Sequence, residues 1–151
     1  MNNGAPLPLA PLGKRIVFAG KALRARFEEA LAANGASLPT FFVLTSARES
    51  SGLSQTELAE RVGVESPTLV RHLDRLCAEG FVVRVPDDRD RRVTRIQLTA
   101  AGLARQKELA TVAAALDRDL RRIFSAHELA VLDRVLARLA AFTEESHDFS
   151  R

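Results

Sequence analysis

Residues 53 to 80, LSQTELAERVGVESPTLVRHLDRLCAEG, hold two helix starts and two helix stops within a single short span. Ser54 is a good N-cap, Glu57 stands three residues on to complete a capping box, and Leu53 can staple onto Leu58. Gly63 stops that short helix, and Ser66 followed by Pro67 reads as the N-cap and first position of the next. The result is helix, tight turn, helix. The second helix separates into two faces, with Leu69, Leu73, Leu76 and Cys77 on an apolar stripe and Thr68, Arg71, His72 and Arg75 on a polar, basic one. Gly80 ends it. Two short apolar runs, FVVRV and VTRIQL, then flank PDDRDRR at residues 86 to 92, which puts three aspartates and three arginines at the tip of a β-hairpin. Burying an unpaired charge is too costly for any core to absorb this tip, so it stands in water or against a charged partner.

The flanking segments are helical by period. Leu12, Ile16, Ala19, Leu23, Phe27 and Leu31 recur at steps of three and four, which predicts a helix over 12–31 closed by Asn34 and Gly35. A second helix is expected from Pro39 to Glu49, rich in large apolar side chains and ended by Ser50, Ser51 and Gly52. After the hairpin, Thr99 caps a long helix to about Ile123. FSAHEL then repeats the box and staple with Ser125, Glu128, Phe124 and Leu129, opening a last helix to about Thr143. Its stripe of Leu129, Leu132, Leu136, Leu139 and Phe142 is wide enough to cover a partner. The chain of 151 residues is the size of one domain, and 46% hydrophobic content fits a globular protein. The N-terminal residues, with prolines at 6, 8 and 11, read as a mobile arm and not a signal peptide. Cys77 is the single cysteine, which makes a reducing, cytoplasmic setting the expectation. No stretch is apolar enough to predict a membrane span, since Asn34, Gly35, Ser37, Pro39 and Thr40 interrupt the uncharged segment 30–47.

A short helix, a helix with an exposed basic face and a hairpin with a charged tip follow one another in the order of a winged helix-turn-helix. The DNA major groove admits one helix, and a flanking element can touch the neighbouring minor groove. Net charge is +3, and residues 61–95 carry eight arginines against six acids. The arginines are therefore placed, not massed, and nonspecific affinity should be modest and fall with salt. The stretch LSQTELAERVGVESPTLVRHLDRLCAEGFVVRVPDDRDRRVTRIQLTAAG resembles the core of a MarR-type regulator. Shared landmarks are TLVRHLDRL in the recognition helix, the DRR of the wing and the LT..G that starts the next helix. VESPTLVR, with an early LGKRI, is similar to the SlyA branch. The resemblance implies that Arg92 enters the minor groove and Asp90 orients it. Asp88 stands where the family more often has proline, which implies a looser tip in which Arg89 or Arg91 share phosphate contacts. By the same resemblance Ser66, Pro67, Thr68 and Arg71 contact bases, with Arg71 the candidate for a guanine edge, and Arg75 finds phosphate.

The expected fold class is mainly α with a small β-hairpin (α+β): a winged helix-turn-helix DNA-binding lobe plus a helical dimerisation region from both chain ends. The expected boundaries are an arm over 1–11, one domain over 12–143 and a tail over 144–151. Within the domain the lobe covers about 38–99, and the dimerisation helices 12–34 and 100–143. Palindromic half-sites recur after one helical turn, roughly 34 Å, so a homodimer on double-stranded DNA is the natural reader. The resemblance also implies a cleft for a small aromatic or lipophilic effector, with Phe41 and Phe42 as candidate lining and core packing as their competing role. No cofactor and no metal are expected. His72, His127 and His147 lack metal-ligand spacing, no catalytic motif is present, and Glu57 and Glu128 are accounted for by capping, so an enzyme is not expected. Cys77, on the apolar stripe, reads as a small core residue and not a redox sensor. The competing function is a winged-helix module that binds protein without specific DNA binding. It leaves the arrangement of Thr68, Arg71 and Arg92 unexplained.

Overall fold

The computed structural model describes the backbone of residues 11–50 and 52–148, and their side chains as far as 142. The elements are α1 (Leu12–Ala32), α2 (Leu38–Glu49), β1 (Leu53–Ser54), α3 (Gln55–Val62), α4 (Ser66–Ala78), β2 (Val82–Pro86), β3 (Thr94–Leu98), α5 (Ala100–Arg122) and α6 (Ala126–Asp148). Two compact units divide the chain, one ending at Ala113 and the other beginning at Ala114. The expected arm over 1–11 and the side chain of His147 lie outside the described residues, Pro11 excepted. The last helix continues to Asp148, past its expected end near Thr143 and into the segment assigned to a tail.

Local chemistry sets the starts and stops. The Thr40 N–H donates to Ser37 Oγ at 3.3 Å, so α2 begins on a Ser cap one residue ahead of the expected Pro39. In α3 the Glu57 N–H donates to Ser54 Oγ at 3.2 Å, and the Ser54 N–H to the Glu57 carboxylate at 2.7 Å, completing the capping box. These bonds from Ser54, backbone first, hold the Glu57 carboxyl below its ordinary value. Gly63 closes α3 at φ 71°, a left-handed conformation that costs glycine little. One cap differs from expectation. Glu65, not Ser66, is the N-cap of α4 and makes no side-chain capping bond. Pro67 is compatible with either register, because no N–H in the first turn has an intrahelical acceptor.

In the first unit, Leu69, Leu73 and Leu76 of α4 are buried against Leu58 and Ala59 of α3, Val43 and Leu44 of α2, and Val82 and Ile96 of the sheet. Each such leucine contributes on the order of 1.5 to 3 kcal/mol by leaving water. Leu31 of α1 and Leu109 of α5 complete this core. Cys77 is half-buried against it. The sheet has an unforeseen third strand: β1 pairs antiparallel with β3 (Leu53 with Ile96, Ser54 with Arg95), giving the order β1-β3-β2. A strand of two residues has no period to read. The β2–β3 register runs from Val82 opposite Leu98 to Pro86 opposite Thr94. Pro86 thus closes an outer strand, where a missing N–H is tolerated.

The LTAAG stretch has a steric reason. Thr99 Oγ1 accepts the Gly102 N–H at 2.9 Å and donates to the Gly80 carbonyl at 2.6 Å, while the Thr99 N–H donates to the Phe81 carbonyl at 3.1 Å. A Cβ on Gly102 would lie 1.9 Å from that Phe81 oxygen, so only glycine allows α5 to start so close to the end of α4. Outside this core, much apolar surface is uncovered. On α1, Leu12, Val17 and Phe18 are exposed, and on α6 so are Val131, Val135 and Leu136, with Leu129, Leu132 and Leu139 half-buried. No helix among the described residues is long and apolar enough to cross a membrane.

Candidate nucleic-acid interface

The buried leucines of α4 fix which of its residues face water. Opposite Leu69, Leu73 and Leu76, a helix of 3.6 residues per turn carries Pro67, Arg71, Asp74 and Ala78. All four are exposed, as are Ser66, Val70 and Arg75, whereas Thr68 and His72 flank the buried stripe and are half-buried. The outward face is therefore turned from the expected Thr68, Arg71, His72, Arg75 stripe and includes Val70 and Asp74, which periodicity alone did not single out. Charge pairing then sorts its ionic groups. Asp74 accepts from Arg84 of β2 at 2.8 Å, and Arg75 donates to Glu79 at 2.9 Å. Arg71 has no ion-pair partner among the described residues. A phosphate contact by Arg75 would have to compete with Glu79.

The hairpin tip stands clear of the sheet. Asp88, Arg89, Asp90, Arg91 and Arg92 are exposed, and the Arg92 side chain retains 95% of its accessibility. Backbone bonds close the loop, from the Asp87 N–H to the Val93 carbonyl and from the Val93 N–H to the Asp90 carbonyl, both at 2.9 Å. Asp90 Oδ1 accepts the Arg92 N–H at 3.0 Å and lies 3.7 Å from Arg92 Nε. Asp90 thus sits beside Arg92. Arg89 and Arg91 have no ion-pair partner among the described residues.

Asp87 carries the order of this loop. Its Oδ1 accepts the N–H groups of Arg89 at 2.8 Å and Asp90 at 2.9 Å, and its Oδ2 accepts Arg95 Nε at 2.6 Å. The N–H of Asp90, then Arg95, then the N–H of Arg89 lower the Asp87 carboxyl from its ordinary 3.8 to about 2. The closure of the tip rests on Asp87 and not on Asp88, the position where the resemblance implies proline. Arg95 was not anticipated at all. Its Nη1 also donates to the Gly52 carbonyl at 2.9 Å and reaches Glu57 Oε2 at 3.4 Å.

The phenylalanines offered for an effector cleft do different work. Phe41 packs on the core and meets Phe27 edge-on at a centroid distance of 5.1 Å, while Phe42 is 39% exposed. Neither lines the cavity of about 640 Å³ whose walls include Thr40, Arg75, Glu79, Phe81, Arg105 and Glu108. Arg105 donates there to Glu108 at 2.9 Å and to the Asn34 carbonyl at 2.5 Å.

A leucine-anchored helix with an open outward face, joined by Gly80 to a hairpin that presents an exposed arginine, defines a winged helix-turn-helix. Residues 36–94, from just before α2 to the first residue of β3, match the MarR family model. A MarR-family protein of Mycobacterium tuberculosis, solved in complex with p-aminosalicylic acid, is 30% identical, with 87% of this chain and 99% of that one covered and a TM-score of 0.70. A mutant MarR from E. coli complexed with operator DNA is 28% identical over 85% of this chain and 93% of that one, with a TM-score of 0.77. The transcriptional repressor CouR bound to a 23-mer DNA duplex is 27% identical over 86% and 92%, with a TM-score of 0.79. The chain belongs to the MarR family.

Proposed function

We propose that this protein is a transcription regulator that binds a pseudopalindromic operator as a homodimer, with the outward face of α4 in the major groove and Arg92 in the adjacent minor groove. The observation that carries the reading is a contrast in availability: Asp74 and Arg75 are paired at 2.8 and 2.9 Å with neighbours, while Arg71 has no ion-pair partner among the described residues and Arg92, with only Asp90 at 3.7 Å, keeps 95% of its side-chain accessibility. Arg71 suits a guanine edge, which presents two acceptors to a guanidinium fork, and Ser66, Pro67 and Thr68 occupy the first turn beside it. Arg89 and Arg91 take phosphates. The complexes of E. coli MarR with operator DNA and of CouR with a duplex support DNA as the partner.

The exposed apolar side chains of α1 and α6 support a two-fold interface. Small-molecule control is supported by the p-aminosalicylic acid complex of the mycobacterial relative. In this chain the cavity beside Phe81 carries Arg75 and Arg105, each paired with an acid on the same wall, Glu79 and Glu108, so an acidic effector there would have to displace those partners, and any effector acts only as far as it prefers one arrangement of the reading heads. VESPTLVR and LGKRI favour the SlyA-like branch. Selection of bound sequences from a random duplex pool tests the reading. It should enrich palindromes with half-sites about one helical turn apart, and recovery of no sequence above background overturns it.

A further inference from the structure

We infer that Arg95 and Asp87 are positioning residues for the wing: the Asp87–Arg95 ion pair ties the root of the tip to the start of α3 and so sets where Arg92 stands relative to α4. The inference rests on the proposed DNA-binding role of Arg92.

Arg95 lies on β3 with Val85 of β2 on one side and Ser54 of β1 on the other. From there its guanidinium spans the sheet. Nε meets Asp87 at the wing root at 2.6 Å, and Nη1 meets the Gly52 carbonyl at 2.9 Å, with Glu57 at 3.4 Å. Gly52 has φ 77°, a conformation that favours glycine, and it brings its carbonyl to Arg95 just before β1. Glu57 is the residue whose carboxylate closes the α3 capping box. Thus one planar group bonds the wing, the loop before β1 and the first helix of the helix-turn-helix, and α3 packs on α4 through Leu58.

An isolated exposed ion pair gives little rigidity, but this one is different in kind. Both Asp87 oxygens are filled, the pair is partly buried, and the donor is a fork with its orientation fixed at two ends. Two backbone N–H groups of the tip, those of Arg89 and Asp90, hang on the same carboxylate. Asp90 in turn holds Arg92, so the chain of contacts runs from α3 through Arg95, Asp87 and Asp90 to the minor-groove arginine. Lysine would keep the charge and lose the fork.

The test is a double-mutant cycle on a selected duplex, read as Kd by fluorescence anisotropy, with wild type, Arg92→Ala, Arg95→Lys and the pair. Arg92→Ala should weaken wild type by roughly tenfold and the Arg95→Lys background by about fivefold less than that, a coupling of the size seen between interacting sites. Arg71→Ala should cost the same fold in both backgrounds, which a general loss of folding would not give. Equal Arg92→Ala penalties in the two backgrounds overturn the inference while leaving the DNA-binding reading in place. Arg92→Ala without effect on wild type overturns the wing reading itself, and the inference with it. Should Arg95→Lys fail to fold, Asp87→Asn breaks the same ion pair from the other side and carries the cycle.

Discussion

Helix α4 and the wing each present an exposed arginine, yet the two are positioned by opposite means. Arg71 is aimed by three buried leucines on the far side of its helix, whereas Arg92 is aimed by hydrogen bonds and ion pairs in half-exposed surroundings. Apolar burial is non-directional and insensitive to salt and acid. The wing's polar scaffold is directional, and both salt and protons can weaken it. The reading helix should therefore behave as part of the core, and the wing as a separately adjustable element.

The largest effect should come from α4. Leu73→Ala removes a fully buried side chain and should cost about 2 to 5 kcal/mol of stability, read from the denaturant midpoint. A loss no larger than that of a surface change would mean that α4 is not anchored as described. Next in size, Arg71→Ala should cost about 1 to 3 kcal/mol in discrimination between a selected duplex and one altered at a single base pair, without a change in melting temperature. Arg92→Ala should instead weaken binding to all duplexes and lower the slope of log affinity against log salt by about 1.

The smallest effect belongs to Asp87 and to acid. Its folded value of about 2 lies below the ordinary 3.8, so its contribution to stability is present above about pH 4 and is lost as pH falls toward 2. Melting temperatures of wild type and Asp87→Asn should differ at neutral pH and converge in that acid window. A gap that persists at pH 2 would show that the carboxylate charge is not what holds the tip.

The same contrast explains what could be read in advance. The α3 capping box, the Gly63 stop and the leucine stripe of α4 follow from spacing within one element, and each appears where spacing puts it. The outward face of α4 was only partly legible. Cys77 packs against the core as its place on the apolar stripe predicts, though only half-buried, while Val70 and Asp74 join the exposed face because the direction of burial depends on α2, α3 and the sheet packing from one side. Arg95 was invisible for a further reason. Its partners Gly52, Glu57 and Asp87 are distant in sequence and meet only through the β1-β3-β2 register, which no local pattern encodes. The uncovered apolar stripes of α1 and α6 were legible as amphipathic helices, and their exposure in the single chain is the reason a second copy is proposed for them.

Hydroxyl-radical footprinting on a selected duplex tests the central claim most directly, because cleavage reports access to the minor-groove sugars and a parallel guanine-N7 methylation assay reports the major groove. Wild type should protect a major-groove segment and the adjoining minor groove in each half-site. Arg92→Ala should lose the minor-groove protection alone, and Arg71→Ala should lose protection of one guanine. Unchanged protection in both variants, or protection of one groove only by wild type, would contradict simultaneous engagement of helix and wing.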